Sequence, residues 1–114
     1  MPFLRIQTNV ELSEEKKSSI LARASLQVST ALQKDEAFFM GAAEGSTAMI
    51  FGGRRDPAAM LEVASLGFPD GSVEELSRLL CHLMKEEAGV AEDRIYIRFV
   101  DAERSLWGWN SKVF

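Results

Sequence analysis

Residues 72–100, SVEELSRLLCHLMKEEAGVAEDRIYIRFV, place a helix and a strand in one short span. Leucines recur at helical spacing after Ser72, and Ser72-Val73-Glu74-Glu75 matches a capping box, so we expect a helix that begins there and ends at Gly89. The segment from Arg94 to Val100 then alternates between two faces. One face has Ile95, Ile97 and Phe99, and the other has Tyr96, Arg98 and Val100. The stretch therefore predicts a capped helix followed by a half-buried strand.

Strands and helices alternate in the same way earlier in the chain. A strand-like run covers residues 3–10, Ser13 begins an amphipathic helix that ends near Gln33, and buried strands are expected at 38–43 and 58–68. Gly52-Gly53 marks a turn between the halves. The order strand, helix, strand thus occurs twice, as pseudo-repeats of about 1–57 and 58–114 within a single domain, 1–114. Two crossover units in so short a chain predict one sheet with both helices on one face.

The second face of this sheet has no predicted cover. The runs 38–43 and 58–68 are apolar on both alternations, with Glu62 the one charge inside the second run. A two-layer monomer would expose such a face to water, so the architecture predicts self-association.

Composition excludes several classes of protein. The chain has 114 residues, a formal net charge of −4 and one cysteine, Cys81. The charge disfavours a nucleic-acid partner, and one cysteine excludes an intrachain disulfide. No segment approaches the roughly 20 apolar residues that span a bilayer, and no secretory signal is visible, so we expect no membrane association and a cytoplasmic location.

Packing alone does not account for four features: Pro2, Lys34, Tyr96 and the aromatic tail. Pro2 can simply begin a strand, but if Met1 is removed it becomes a terminal secondary amine. Lys34 can be a cation at a helix C-terminus, and Tyr96 can fill a strand. The tail, residues 106–114, is aromatic, and packing in the core or at an interface would equally explain its aromatic residues. By contrast, His82 reads as a helix-surface residue and Cys81 as a small core residue.

Motifs across the whole chain resemble the macrophage migration inhibitory factor family of the tautomerase superfamily. They are Pro2-Phe3 with Gln7-Thr8-Asn9-Val10, Phe51-Gly52-Gly53 with Asp56-Pro57, Ser65-Leu66-Gly67, Leu79-Leu80-Cys81, Asp93-Arg94-Ile95-Tyr96-Ile97, and Gly108-Trp109-Asn110 with Phe114. The tail and the cysteine favour this branch over the related D-dopachrome tautomerases. The resemblance implies an α+β fold, also described as an α/β two-layer sandwich, with one mixed four-stranded sheet and extra short strands. It also implies assembly as a homotrimer.

The resemblance also implies an activity. Family members use a free N-terminal proline as general base for keto–enol tautomerisation of the phenylpyruvate or dopachrome type, without a cofactor or metal. The expected substrate is a small aromatic 2-oxo acid. Pro2 matches the base, and the expected substrate-binding residues are Lys34, Leu66, Tyr96, Arg98, Trp107, Trp109 and Phe114. Lys34 aligns only with a one-residue insertion before it.

This chain departs from the family pattern at three places. Arg98 replaces an asparagine and Trp107 replaces a valine, so we expect an altered substrate preference. Ala58-Ala59-Met60-Leu61 stands where the family has a pair of cysteines, so no thiol oxidoreductase role is expected. Two other functions stay open: a cytokine-like binding protein with a vestigial pocket, for which the resemblance implies leaderless secretion, and a different small-molecule reaction on the same scaffold.

Overall fold

The computed structural model describes residues 1–114 and has the strand–helix–strand order twice. Its elements in chain order are β1 (Phe3–Thr8), α1 (Glu14–Leu32), β2 (Met40–Glu44), β3 (Ala59–Ser65), α2 (Ser72–Ala88), β4 (Ile95–Asp101), β5 (Gly108–Trp109) and β6 (Lys112–Val113). Short 3₁₀ turns cover Glu36–Phe38, Glu92–Arg94 and Arg104–Leu106. Neither of the two helices has the length and apolar character needed to cross a bilayer.

The main sheet is mixed and four-stranded, in the order β2-β1-β3-β4. Each βαβ unit pairs its own strands in parallel: Phe3 lies opposite Met40, and Ala59 lies opposite Ile95. The two units join through the antiparallel pair β1 and β3, where Leu4 lies opposite Val63. The expected fold class is therefore confirmed: an α+β sandwich with extra short strands.

The hydrophobic core lies between the sheet and the helices. Alternate residues of β1 and β3 point toward the helices, because side chains on a strand alternate between faces. The core residues of these two strands are Leu4, Ile6, Ala59, Leu61 and Val63, and those of the helices are Ile20, Ala24, Val28, Leu32, Leu76, Leu80, Leu83 and Met84. All are buried, so both helices cover the same face, as the sequence predicts.

The opposite face of the sheet, which we call the open face, is less apolar than the sequence predicts. Arg5 pairs with Glu44 at 3.8 Å, and Arg98 pairs with Glu62 at 3.7 Å across neighbouring strands. Apolar side chains lie beside these ion pairs, and Met40 is 67% exposed. The open face thus combines ion pairs with exposed apolar side chains.

The predicted capping box at Ser72 is also wrong. Gly71 occupies the cap position with φ of 81°, and Ser72 is already the first residue of α2. The turn from Pro69 explains this shift, because the Ser72 N–H donates to the Pro69 carbonyl and brings the chain into the helix at Gly71. The Ser72 hydroxyl is consequently buried without a hydrogen-bond partner. At α1, by contrast, Ser13 accepts from the Lys16 N–H and caps the helix as predicted.

Three strands differ in their bounds from those expected, and β1 ends at Thr8 rather than at residue 10. The strand expected at 38–43 is Met40–Glu44, because Asp35 caps a 3₁₀ turn over Glu36–Phe38 through the Ala37 N–H. The strand expected at 58–68 is Ala59–Ser65, and Gly67, with φ of 85°, turns the chain away from the sheet.

Candidate active site

The chain start lies in an aromatic cleft at one end of the sheet. Pro2 precedes β1 and is buried. The cleft has a volume of about 310 Å³. Its walls are Met1, Pro2 and Phe3 from the chain start, Ala37, Phe38, Phe39 and Met40 from the approach to β2, and Trp107, Gly108 and Trp109 from the tail. The fold therefore brings the two ends of the chain together around Pro2.

The C-terminal hairpin forms the aromatic wall of this cleft. Asn110 and Ser111 both have positive φ, which is the geometry of a tight two-residue hairpin turn between β5 and β6. The ring of Trp109 stacks on Phe114 with centroids 5.9 Å apart, and it meets the edge of Phe38 at 5.7 Å. Because Trp109 is 46% exposed, much of its ring is accessible to a ligand.

Lys34 and Leu66 meet beside the cleft. Lys34 follows α1, whose C-cap Gln33 adopts the left-handed conformation, and it is half-buried. Its Nζ donates to the Leu66 carbonyl at 3.2 Å. This bond fixes the ammonium group beside the cleft and leaves two Nζ hydrogens for a ligand.

Positive charge surrounds the amino terminus. Burial, followed by the charges of Lys34 and Arg104, lowers the pKa of the Met1 ammonium group below its usual value. Neither cation forms an ion pair with a carboxylate. An amine at this place is therefore held toward its uncharged, basic form.

Two residues near this cleft, Arg104 and Phe38, are not predicted as site residues by any pattern in the sequence. Arg104 opens the 3₁₀ turn before Trp107, and no periodicity or motif distinguishes it from other charged residues of the tail. Phe38 was expected inside a strand, but the 3₁₀ turn directs it toward Trp109. Only tertiary contacts identify them as residues of this site.

Tyr96 and Arg98 lie outside the cleft of their own chain. Tyr96 lies level with Gln7 of β1, because Tyr96 is opposite Met60 and Met60 is opposite Gln7. The rise along β1 from Pro2 to Gln7 therefore separates Tyr96 from Pro2 by at least about 15 Å. It is 65% exposed and lines a separate depression of about 440 Å³, where its ring packs against Phe51 at 4.7 Å. Arg98 pairs with Glu62 on the open face.

A larger groove lies elsewhere and contains none of the expected site residues. It has a volume of about 650 Å³ and is bordered by Asn9, residues 47–50 and Arg55. It is wide open to solvent and has no aromatic wall or amino group. The cleft at Pro2 is smaller, but it combines a reactive position with apolar walls and flanking cations, so it is the stronger candidate site.

Comparisons with known proteins agree with this geometry. The family model described as macrophage migration inhibitory factor (MIF) matches residues 1–114. A macrophage migration inhibitory factor homolog of Brugia malayi is 34% identical over 115 residues, covering 100% of this chain and 99% of that protein. The mouse macrophage migration inhibitory factor is 28% identical, with the same coverage.

Solved structures show the same fold. The macrophage migration inhibitory factor homologue from Prochlorococcus marinus superimposes with a TM-score of 0.93 at 34% identity, covering 98% of both chains. The Toxoplasma gondii protein gives a TM-score of 0.93 at 27% identity, covering 98% of this chain and 99% of that chain. Two βαβ units in one sheet, an aromatic cleft around Pro2 and the family match together place this chain in the tautomerase superfamily. Within that superfamily, the chain belongs to the macrophage migration inhibitory factor family.

Proposed function

We propose that this protein is a keto–enol tautomerase of small aromatic 2-oxo acids, such as phenylpyruvate, with Pro2 as the general base after removal of Met1. The observation that carries the proposal is the environment of the chain start. Pro2 is buried among aromatic side chains and lies beside two cations, Lys34 and Arg104, that have no carboxylate partners. These conditions favour an uncharged amine, which can accept a proton near neutral pH.

Removal of Met1 changes the cleft in two ways. It converts the Pro2 nitrogen from an amide, which has no basic lone pair, into a secondary amine. It also vacates the part of the cleft that Met1 lines. The proline ring fixes its own φ, so the nitrogen lone pair keeps one direction without further ordering.

The proton moves between carbon and oxygen of the substrate. In the keto-to-enol direction, the Pro2 nitrogen accepts a proton from the carbon next to the keto group. The electron pair of that C–H bond forms the enol double bond, and the keto oxygen takes a proton from water. Lys34 pairs with the substrate carboxylate and stabilises the negative charge that develops nearby. The Pro2 ammonium group then releases its proton to solvent, and the reverse reaction follows the same steps backward.

The aromatic wall holds the substrate ring. Trp107 and Trp109 border the cleft, and Phe114 stacks on Trp109. Ring contacts of this kind are worth about 0.5–1.5 kcal/mol beyond the area they bury. A ring held there places the benzylic carbon toward Pro2 and the carboxylate toward Lys34.

Tyr96 and Arg98 join this site only in an assembly. One chain keeps them away from Pro2, so if both line the pocket, they belong to a neighbouring copy. The exposed apolar residues of the open face, including Met40, favour such association. The protein is thus proposed to be a homotrimer with its sites between protomers.

We expect a solution mass of three chains, measured by sedimentation equilibrium. Mixing Pro2→Gly chains with Tyr96→Ala chains, after dissociation and reassembly, should restore part of the activity that each variant lacks. Mixing either variant with itself is the control. A monomer, or no recovery in the mixture, would contradict a site shared between protomers.

Lys34→Gln tests the charge beside the base. The acidic limb of the pH profile of kcat/KM should move to higher pH, because removing a cation raises the pKa of the Pro2 amine. KM should rise about tenfold or more, since a charge-assisted bond to the carboxylate is lost. Lys85→Gln, an exposed lysine on α2 without an ion pair, is the matched control. An unmoved acidic limb would show that Lys34 does not act on the base.

A second candidate function is that of a cytokine-like binding protein with a vestigial pocket. It is favoured where Met1 is retained, because Met1 then occupies the cleft and the nitrogen is an amide. Mass spectrometry of the amino terminus in the native source distinguishes the two forms, and a wholly unprocessed population favours binding. The cytoplasm stays our prediction for the location of either form.

A further inference from the structure

Arg104 is a free cation at the edge of the candidate site. It opens the 3₁₀ turn Arg104–Leu106, and its carbonyl accepts from the Trp107 N–H at 3.2 Å, so it is tied to a residue that lines the cleft. After burial and the charge of Lys34, its positive charge contributes to lowering the pKa of the Met1 ammonium group. Its side chain is exposed and makes no hydrogen bond or ion pair.

Most arginines of this chain are already held by other groups. Arg5, Arg23, Arg54 and Arg98 each pair with a carboxylate, and Arg94 donates to backbone carbonyls. The others are Arg55, Arg78 and Arg104. Arg78 lies on α2 and Arg55 borders the large open groove, so only Arg104 has a free guanidinium beside the cleft.

The two cations of the site differ in depth. Lys34 is half-buried and fixed to the Leu66 carbonyl, whereas Arg104 is exposed. A 2-oxo acid whose carboxylate pairs with Lys34 can extend its far end along the cleft wall at Trp107, the residue to which Arg104 is hydrogen-bonded. A guanidinium matches a carboxylate with two parallel N–H donors, and Arg104 has all its N–H groups available.

We propose that Arg104 binds a second anionic group at the far end of the substrate, so that the preferred substrates are 2-oxo acids with a second carboxylate. This inference rests on the proposed tautomerase function and names the substrate class for that site. The chain has a net charge of −4, which would repel a dianion in general, so local cations are needed to admit one. Lys34 and Arg104 together match the two charges of such a substrate.

A matched pair of ligands tests this inference: phenylpyruvate and 4-carboxyphenylpyruvate, which differ by one carboxylate on the ring. Binding is followed by tryptophan fluorescence, since Trp107 and Trp109 are the two tryptophans of the chain and both border the cleft. The value of kcat/KM is measured in parallel. The proteins are the processed wild type, Arg104→Gln, Arg104→Lys and, as the control on α2, Arg78→Gln.

We expect the wild type to bind the dicarboxylate about tenfold more tightly than phenylpyruvate. Arg104→Gln should abolish that preference, because it should weaken binding of the dicarboxylate about tenfold more than binding of phenylpyruvate. Arg104→Lys should restore part of the preference, and Arg78→Gln should behave as wild type. Equal loss for both ligands would overturn the inference, because it would place Arg104 on the shared carboxylate. Absence of any preference in the wild type would overturn it as well.

The two proposals fail in different ways. If neither ligand is turned over but the binding preference depends on Arg104, the inference stands and the tautomerase function fails. If phenylpyruvate is turned over through Pro2 but the dicarboxylate shows no preference, the function stands and the inference fails.

Discussion

Protein that keeps Met1 should convert the enol of phenylpyruvate to its keto form about 10²–10⁴-fold more slowly than processed protein. That range is the usual contribution of a positioned general base, and an amide nitrogen at Pro2 supplies none of it. The Pro2→Gly variant, also freed of Met1, should lose a substantial part of this rate enhancement. A glycine terminus is still an amine, but it lacks the ring that fixes the direction of the lone pair.

Stopped-flow or conventional ultraviolet assays of enol disappearance measure these rates, with the amino terminus of each sample verified by mass spectrometry. Pro69→Gly, in the turn before α2, is the matched control because it makes the same exchange away from the cleft. Circular dichroism verifies that each variant is folded. Equal rates for the processed, unprocessed and Pro2→Gly proteins would show that Pro2 is not the base.

Arg94→Met should lower the free energy of unfolding by about 3–4 kcal/mol, a large share of the roughly 5–15 kcal/mol typical of a domain. Arg94 is 6% exposed, and its guanidinium donates to the carbonyls of Phe51, Arg54, Asp56 and Pro57 at 2.9–3.3 Å. The guanidinium also lies 5.1 Å from the centroid of the Phe51 ring. Methionine would fill the space and leave these carbonyls without their donor.

Urea denaturation at one fixed protein concentration measures this effect, since association would otherwise shift the midpoint. Arg78→Met, at an exposed position without an ion pair, should change the free energy of unfolding by no more than about 0.5 kcal/mol. Arg94→Lys should fall between the two, because an ammonium group has fewer donors than the guanidinium. A midpoint for Arg94→Met equal to that of Arg78→Met would show that water replaces the guanidinium at little cost.

The regular elements could be predicted from sequence because their physical causes are local. The alternation of Ile95, Ile97 and Phe99 and the leucines of α2 follow the periods of a strand and a helix, and both elements formed as expected. The errors occur where a neighbouring turn decides the outcome. The turn after Pro69 moved the cap from Ser72 to Gly71, and the cap at Asp35 moved the start of β2 from residue 38 to Met40.

The site was predictable only in part, because its residues come from distant parts of the chain. The family resemblance predicts Pro2, Lys34 and the aromatic tail as site residues, and the fold brings these together. Arg104 carries no motif, so its place beside the amino terminus emerges only from the tertiary structure. Tyr96 and Arg98 are separated from Pro2 within one chain, because the pairing of the strands sets this distance and no periodicity in the sequence reports it.

Titration of the Pro2 nitrogen tests the central claim most directly. With ¹⁵N-labelled proline in protein freed of Met1, the chemical shift of this nitrogen reports its protonation as the pH is varied. We expect a pKa below the 7.7–8.0 or so of an ordinary terminal amine, and a higher value in Lys34→Gln. A nitrogen that stays protonated throughout the neutral range would contradict the account.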